Sequence, residues 1–182
     1  MSSLFSISSS SNPLLNPPQI QASIFLEVSF SEFLAQTKNV TTWVHTDEIE
    51  ATDDQPIGSF DMADCMTVFG VQKKGEQITQ LFAYHVADLT DEDEIIEKFD
   101  EIEIDNSQEF ELFIIGSNQS IKKSGLLETL LNTFPKIFTN ENHKIIQTLT
   151  NINAGSNLSY VSAVLQPNGQ IIYCRHLDEL AE

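Results

Sequence analysis

Cys65 and His85 each stand ten residues from Gly75, the centre of Lys73-Lys74-Gly75-Glu76-Gln77. The runs on either side, Met66 to Val71 and Ile78 to Tyr84, are rich in β-branched and aromatic residues. Two such runs joined by a short polar segment containing glycine form a hairpin. A hairpin centred on Gly75 pairs Cys65 with His85, Thr67 with Ala83, Phe69 with Leu81 and Val71 with Thr79. Directly opposed residues have Cβ atoms about 4.5–5.5 Å apart on one face. A thiol and an imidazole so placed can act as nucleophile and base. The thiolate attacks a carboxamide carbon to give a thioester, and the imidazole carries a proton to the departing ammonia and later activates water. A third group must hold the ring. Asp61, Asp64 and Asp88 are near enough in sequence to be considered for that position. The main-chain N–H of Cys65, at the strand start, is a candidate oxyanion donor.

The elements that would position the pair follow from local pattern. Ala22 to Phe30 alternates as a strand, a helical turn opens at Ser31-Glu32 over Phe33 and Leu34, and Val40 to His45 is a second strand. Thr46 to Pro56 reads as an acidic loop leading to Ile57-Gly58-Ser59-Phe60. After the hairpin, Thr90 is the expected N-cap of a helix carrying Ile95, Ile96 and Phe99, with acids in its first turn. Glu109 to Gly116 alternates as a strand. Ser124 is the expected cap of a helix with Leu126, Leu127, Leu130, Leu131 and Phe134 at helical spacing, ending near Pro135. Lys144 to Thr150, Ser159 to Leu165 and Gln170 to Cys174 are strands, the last two joined at Gln166-Pro167-Asn168-Gly169. A strand-rich first half followed by alternating helix and strand predicts an α/β layered sandwich with a mixed, mainly antiparallel sheet and flanking helices.

Composition narrows the partners. The 182 residues carry 27 acids against 9 Lys and Arg, a net charge of −18. Such a surface repels phosphate backbones and anionic lipid, which argues against nucleic acid and membrane partners; the charge serves solubility in one reading and a basic protein partner in the sharper one. No apolar run approaches the roughly 20 residues that span a bilayer. Two cysteines, Cys65 and Cys174, do not make a disulfide framework and suggest a reducing compartment. His45, His143 and His176 share no ligand spacing, so neither metal nor cofactor is expected, and Cys174 reads as a buried strand residue. Residues 1–21 form an uncharged Ser/Asn/Pro-rich leader, expected to be disordered, ahead of a single domain over 22–182. Leaders of that composition resemble the export signals of bacterial effectors. The expected location is therefore the bacterial cytoplasm, with delivery into a host cell cytosol as the further implication.

The segment Ser59-Phe60-Asp61-Met62-Ala63-Asp64-Cys65-Met66-Thr67-Val68-Phe69-Gly70-Val71 resembles the active-site stretch of the CheD-type glutamine deamidases. That family has a hydroxyl residue six positions before a Cys, the Cys opening an apolar strand, a hairpin, and a strand ending in Ala-His. Here Ser59 falls six before Cys65, and Ala83-Tyr84-His85 stands at the Ala-His ending, displaced by one residue. Phe110 to Ser117 and the Leu126–Leu131 helix are similar to the strand, glycine turn and helix that come next. The deamidase domains of cytotoxic necrotizing factor toxins share the Cys-His arrangement. Where the family has glycines before its Cys, this chain has Met62-Ala63-Asp64. The resemblance implies a protein glutamine (or asparagine) deamidase with Cys65 as nucleophile, His85 as base and Ser59 as the group that orients the ring. A thiol protease or transglutaminase would use the same pair. The non-enzymatic alternative is an acidic adaptor or inhibitor that docks on a basic partner through Asp91–Glu94 and Glu97–Asp105.

Overall fold

The alternating strands sort their side chains onto two faces, and both faces are covered. The structure, a computed structural model, describes residues 24–105, 107–116, 125–138, 143–150, 152 and 160–177. Ten strands and three helices occur among them: β1 (Phe25–Glu27), α1 (Phe30–Thr37), β2 (Thr42–Val44), β3 (Ile49–Thr52), β4 (Ile57–Met62), β5 (Met66–Lys74), β6 (Gln77–Val86), α2 (Glu92–Phe99), β7 (Glu109–Gly116), α3 (Leu126–Ile137), β8 (His143–Leu149), β9 (Tyr160–Leu165) and β10 (Ile171–His176). One sheet has the order β1-β10-β9-β4-β2 and the other β3-β6-β5-β7-β8. Both mix parallel and antiparallel pairs. β1–β10, β2–β4 and β7–β8 are the parallel ones.

Three apolar clusters show how the layers stack. Ile57, Met62, Val161, Ala163, Leu165, Ile171 and Tyr173 of the first sheet meet Phe69, Val71, Leu81, Ala83, Phe113 and Ile115 of the second. The opposite face of the second sheet, with Val68, Phe82, Tyr84, Leu112 and Ile114, packs on Ile95 and Phe99 of α2 and on Leu126, Leu130 and Phe134 of α3. The outer face of the first sheet, with Val164, Ile172 and Cys174, packs beneath Phe33 of α1. The molecule is thus an α/β layered sandwich, helix on sheet on sheet on helix. One close approach fixes the second sheet's helix-side face. A methyl on Gly70 would lie 2.0 Å from the Phe82 ring, so only glycine fits there.

Helix starts follow capping chemistry. Ser29 caps α1 and Asp91 caps α2, each closing a reciprocal box with the glutamate three residues on, Glu32 and Glu94. These correct the expected starts at Ser31 and Thr90, because the residue with a glutamate three positions later, long enough to reach back to the cap N–H, wins the cap. The acidic segment expected to be a loop contains β3, which pairs with β6 and covers that edge. Its sequence, Ile-Glu-Ala-Thr, is too short and polar to show a pattern. Pro135 lies inside α3, which continues to Ile137. The N-cap of α3 is Gly125, in the left-handed conformation, and not Ser124; the leader of residues 1–21 lies outside the described residues.

The hairpin carries the main correction. β5 and β6 pair Thr67 with His85, Phe69 with Ala83 and Val71 with Leu81, so Cys65 is not opposite His85. Two local causes add up. The turn is the two-residue Gly75-Glu76, with Gly75 at φ +66°, which moves the centre by half a residue. The register then slips by one between Gln72 and Lys73, where Gln72 faces Gln80, Lys73 faces Ile78, and Thr79 is passed over. The pairing moves by two residues in all. An even shift keeps every side chain on its expected face.

Candidate functional site

His85 projects from β6 into the layer between the two sheets, among groups that are otherwise apolar, and is 1% exposed. An imidazole cannot be buried there without a partner. Ser59, on β4 of the facing sheet, supplies one: its Oγ lies 3.1 Å from His85 Nδ1. Thr67, directly across the ladder from His85, reaches the same serine oxygen at 2.7 Å. It also lies 3.0 Å from Met62 Sδ. The hydroxyls therefore bridge one sheet to the other at the Met62 end of the sandwich.

Thr67 donates, to Ser59 Oγ or to Met62 Sδ. Ser59 Oγ can in turn donate to Nδ1, with the ring proton on Nε2, or accept from Nδ1–H, which leaves Nε2 with a free lone pair. Nε2 makes no hydrogen bond of good geometry among the described residues, although the Val44 main chain comes close enough to the ring to favour its charged form. Burial lowers the His85 pKa to about 4, against smaller opposing effects of the Val44 backbone and the Asp47 and Glu48 carboxylates. The ring is neutral at pH 7.

Cys65 lies one residue before β5, whose pairing with β6 and β7 starts at Met66. It is two positions before Thr67, so a strand continued by one residue would make it a diagonal neighbour of His85. That separation is about 7–8 Å in a regular ladder. The thiol is half-buried and reduced. Its pKa is raised, first by burial and then by the carboxylates of Asp47, Asp64 and Asp88, while a hydrogen bond with the Thr46 side chain works the other way. The resting pair is thiol and imidazole, with no hydrogen bond between them.

The three acids considered for holding the ring lie elsewhere. Asp61 Oδ1 is 3.5 Å from His176 Nε2. Asp64 and Asp88 act on Cys65 through charge, and Asp88 Oδ1 is buried with no hydrogen-bond partner. Buried polar atoms without partners include His85 Nε2 and Asp88 Oδ1 here, Tyr84 Oη on the opposite face of the sheet, and Gln80 Oε1.

A second polar cluster was missed. On the outer face of the first sheet, Ser162 Oγ lies 2.9 Å from His176 Nε2, and His176 Nδ1 lies 2.8 Å from Leu177 O. The His176 ring stacks against Phe30 at 4.8 Å and Tyr160 at 5.9 Å. Cys174, opposite Ser162, is fully buried with its pKa pushed up to about 12, chiefly by burial. The signal was present: a hairpin about Asn168 pairs Ser162 with Cys174 and puts His176 on the same face. Among the described residues no group of His, Cys, Asp or Glu could hold a metal ion, and no helix is long and apolar enough to cross a membrane.

No family model matches the chain, and no curated protein matches it. Among solved structures, the chain is similar to the crystal structure of Neisseria meningitidis protein NMB0706, of the family DUF152, with a TM-score of 0.39 and 9% identity over 66% of this chain and 67% of that one.

Proposed function

We propose that the protein is a cysteine-dependent amidohydrolase that deamidates a glutamine or asparagine side chain of a protein substrate. The observation that supports this most directly is the Ser59–His85 hydrogen bond, which holds a buried neutral imidazole by Nδ1 and leaves Nε2 unpartnered, at the strand end next to Cys65. Because the resting thiol is protonated, His85 acts as a general base during attack instead of resting in a thiolate–imidazolium pair. In the tautomer with the proton on Nδ1, Nε2 takes the Cys65 proton as Sγ bonds to the carboxamide carbon. The imidazolium then protonates the leaving nitrogen, which departs as ammonia. Water attacks the thioester, gives its proton back to Nε2, and releases the acid and the thiol. The main-chain N–H of Cys65, one residue outside the paired strand, would face the developing oxyanion.

The test is incubation of the full chain with candidate basic proteins, reading ammonia release and amide-to-acid conversion at one side chain by mass spectrometry. Cleaved backbone or incorporated amine would assign the site to a protease or transglutaminase. Activity that survives Cys65→Ala would end the proposal in favour of an acidic adaptor.

A further inference from the structure

On the helix side of the second sheet, the turn around Asp47 and the exposed side of α2 enclose a cleft of about 380 Å³. Asp47, Glu94, Glu97 and Glu101 line it, against one cation, Lys98, which is paired with Glu101 at 2.8 Å. Carboxylates alone would mean only a solvated surface. Tyr84 adds an independent observation. Its side chain is fully buried, edge-on to Phe99 at 5.7 Å, yet it lines the cleft, and its hydroxyl has no hydrogen-bond partner. Burial and the nearby carboxylates keep that phenol protonated, so it offers a neutral oxygen.

The acceptors around this space have capacity to spare. Glu94 is spent on the α2 cap and Glu101 on Lys98. The Glu97 carboxylate has no partner among the described residues, and Asp47 makes only two long contacts, from Ala87 N at 3.3 Å and Thr90 Oγ1 at 3.4 Å, both to Oδ1. A carboxylate-rim cleft walled by a tyrosine whose buried hydroxyl is unpartnered suits an ammonium or guanidinium group and repels anions. Asp47 also ties the cleft to the candidate site, because its main-chain N–H donates to His85 O at 2.7 Å.

We propose that this cleft seats a Lys or Arg side chain of the substrate protein, so that the target amide lies beside a basic residue. The assignment rests on the deamidase proposal for Cys65 and His85. It also supplies a reason for the acidic surroundings: Asp47 opposes ionisation of the Cys65 thiol, and a substrate cation bound at Asp47 offsets that charge as the amide arrives.

The experiment uses the full chain with Cys65→Ala and two fluorescein-labelled peptides, Gly-Gln-Gly-Arg-Gly-Arg and the same peptide with citrulline for arginine, read by fluorescence anisotropy. The arginine peptide is expected to bind about tenfold more tightly, an advantage that shrinks as salt rises. Glu97→Gln and Tyr84→Phe should each weaken it about threefold, leaving citrulline binding and the unfolding midpoint unchanged. Equal binding of the two peptides, or an arginine advantage untouched by both substitutions, overturns the cleft. Wild-type turnover separates the two proposals. Arginine-dependent binding without hydrolysis keeps the cation site and removes the deamidase. Equal hydrolysis of both peptides keeps the deamidase and removes the cation site.

Discussion

Two buried histidines each meet a buried serine, on opposite faces of the first sheet, and they are arranged for different ends. His176 is satisfied at both nitrogens, by Ser162 and Leu177, stands near Asp61, and is stacked between two aromatic rings. The cysteine beside it, Cys174, is sealed. His85 is anchored at Nδ1 alone, its Nε2 is unpartnered, and the cysteine on its face is half-exposed. A ring with every hydrogen bond made has nothing left to offer a substrate, while a ring held by one nitrogen keeps the other for proton transfer. The pair types in sequence are the same, Ser, His and Cys. Satisfaction of the hydrogen bonds separates them.

The strongest attempt to break this contrast exchanges the cysteines. Cys65→Ala should lower amide hydrolysis by about a thousandfold or more, and Cys174→Ala should leave it intact, measured as ammonia release. Equal losses would erase the distinction. A second difference lies in pH. The His85 folded-state pKa of about 4 sits below the ordinary 6.5, so between those values the unfolded chain binds the proton that the folded chain refuses. Stability is therefore full above pH 6.5, falls as the pH drops from 6.5 toward 4, and levels below 4, by up to about 3 kcal/mol in total. Urea titrations across that window should show the slope in the wild type and its loss in His85→Gln.

His176 sharpens the comparison from the structural side. His176→Phe keeps the ring stack but strips the hydrogen bonds to Ser162 and Leu177, and should cost about 1–3 kcal/mol in urea unfolding while kcat/KM holds. A fall in activity at constant stability would give His176 a catalytic part. The smallest effect concerns the serine that holds the ring. Thr67→Val removes the hydroxyl that donates to Ser59 Oγ and so loosens the serine that anchors Nδ1. The expected loss is about tenfold in kcat with KM unchanged, and thermal stability should change little. A change in KM alone would mean that the Thr67 hydroxyl does not help position the ring.

Much of the site was legible before folding. Alternation placed His85 with Ala83 and Leu81, and Thr67 with Phe69 and Val71, on one face, and the six-residue interval from Ser59 to Cys65 marked the serine that reaches the imidazole. The layered sandwich followed from the order of strand and helix patterns. The short strand β3 and the His176 cluster were not read, the first because four residues of mixed polarity carry no period, the second because Ser162 and His176 come together only across the β9–β10 hairpin.

By itself the sequence determined which face each side chain takes, because strand alternation has a period of two and survives any even change of pairing. Only the tertiary structure decided what stands opposite. The two-residue turn and the slip at Thr79 carried Thr67, not Cys65, to His85, and the packing of one sheet on the other brought Ser59 to the imidazole. Register depends on hydrogen bonds at a bulge, and contacts between sheets depend on how two faces stack. Neither leaves a period in the chain.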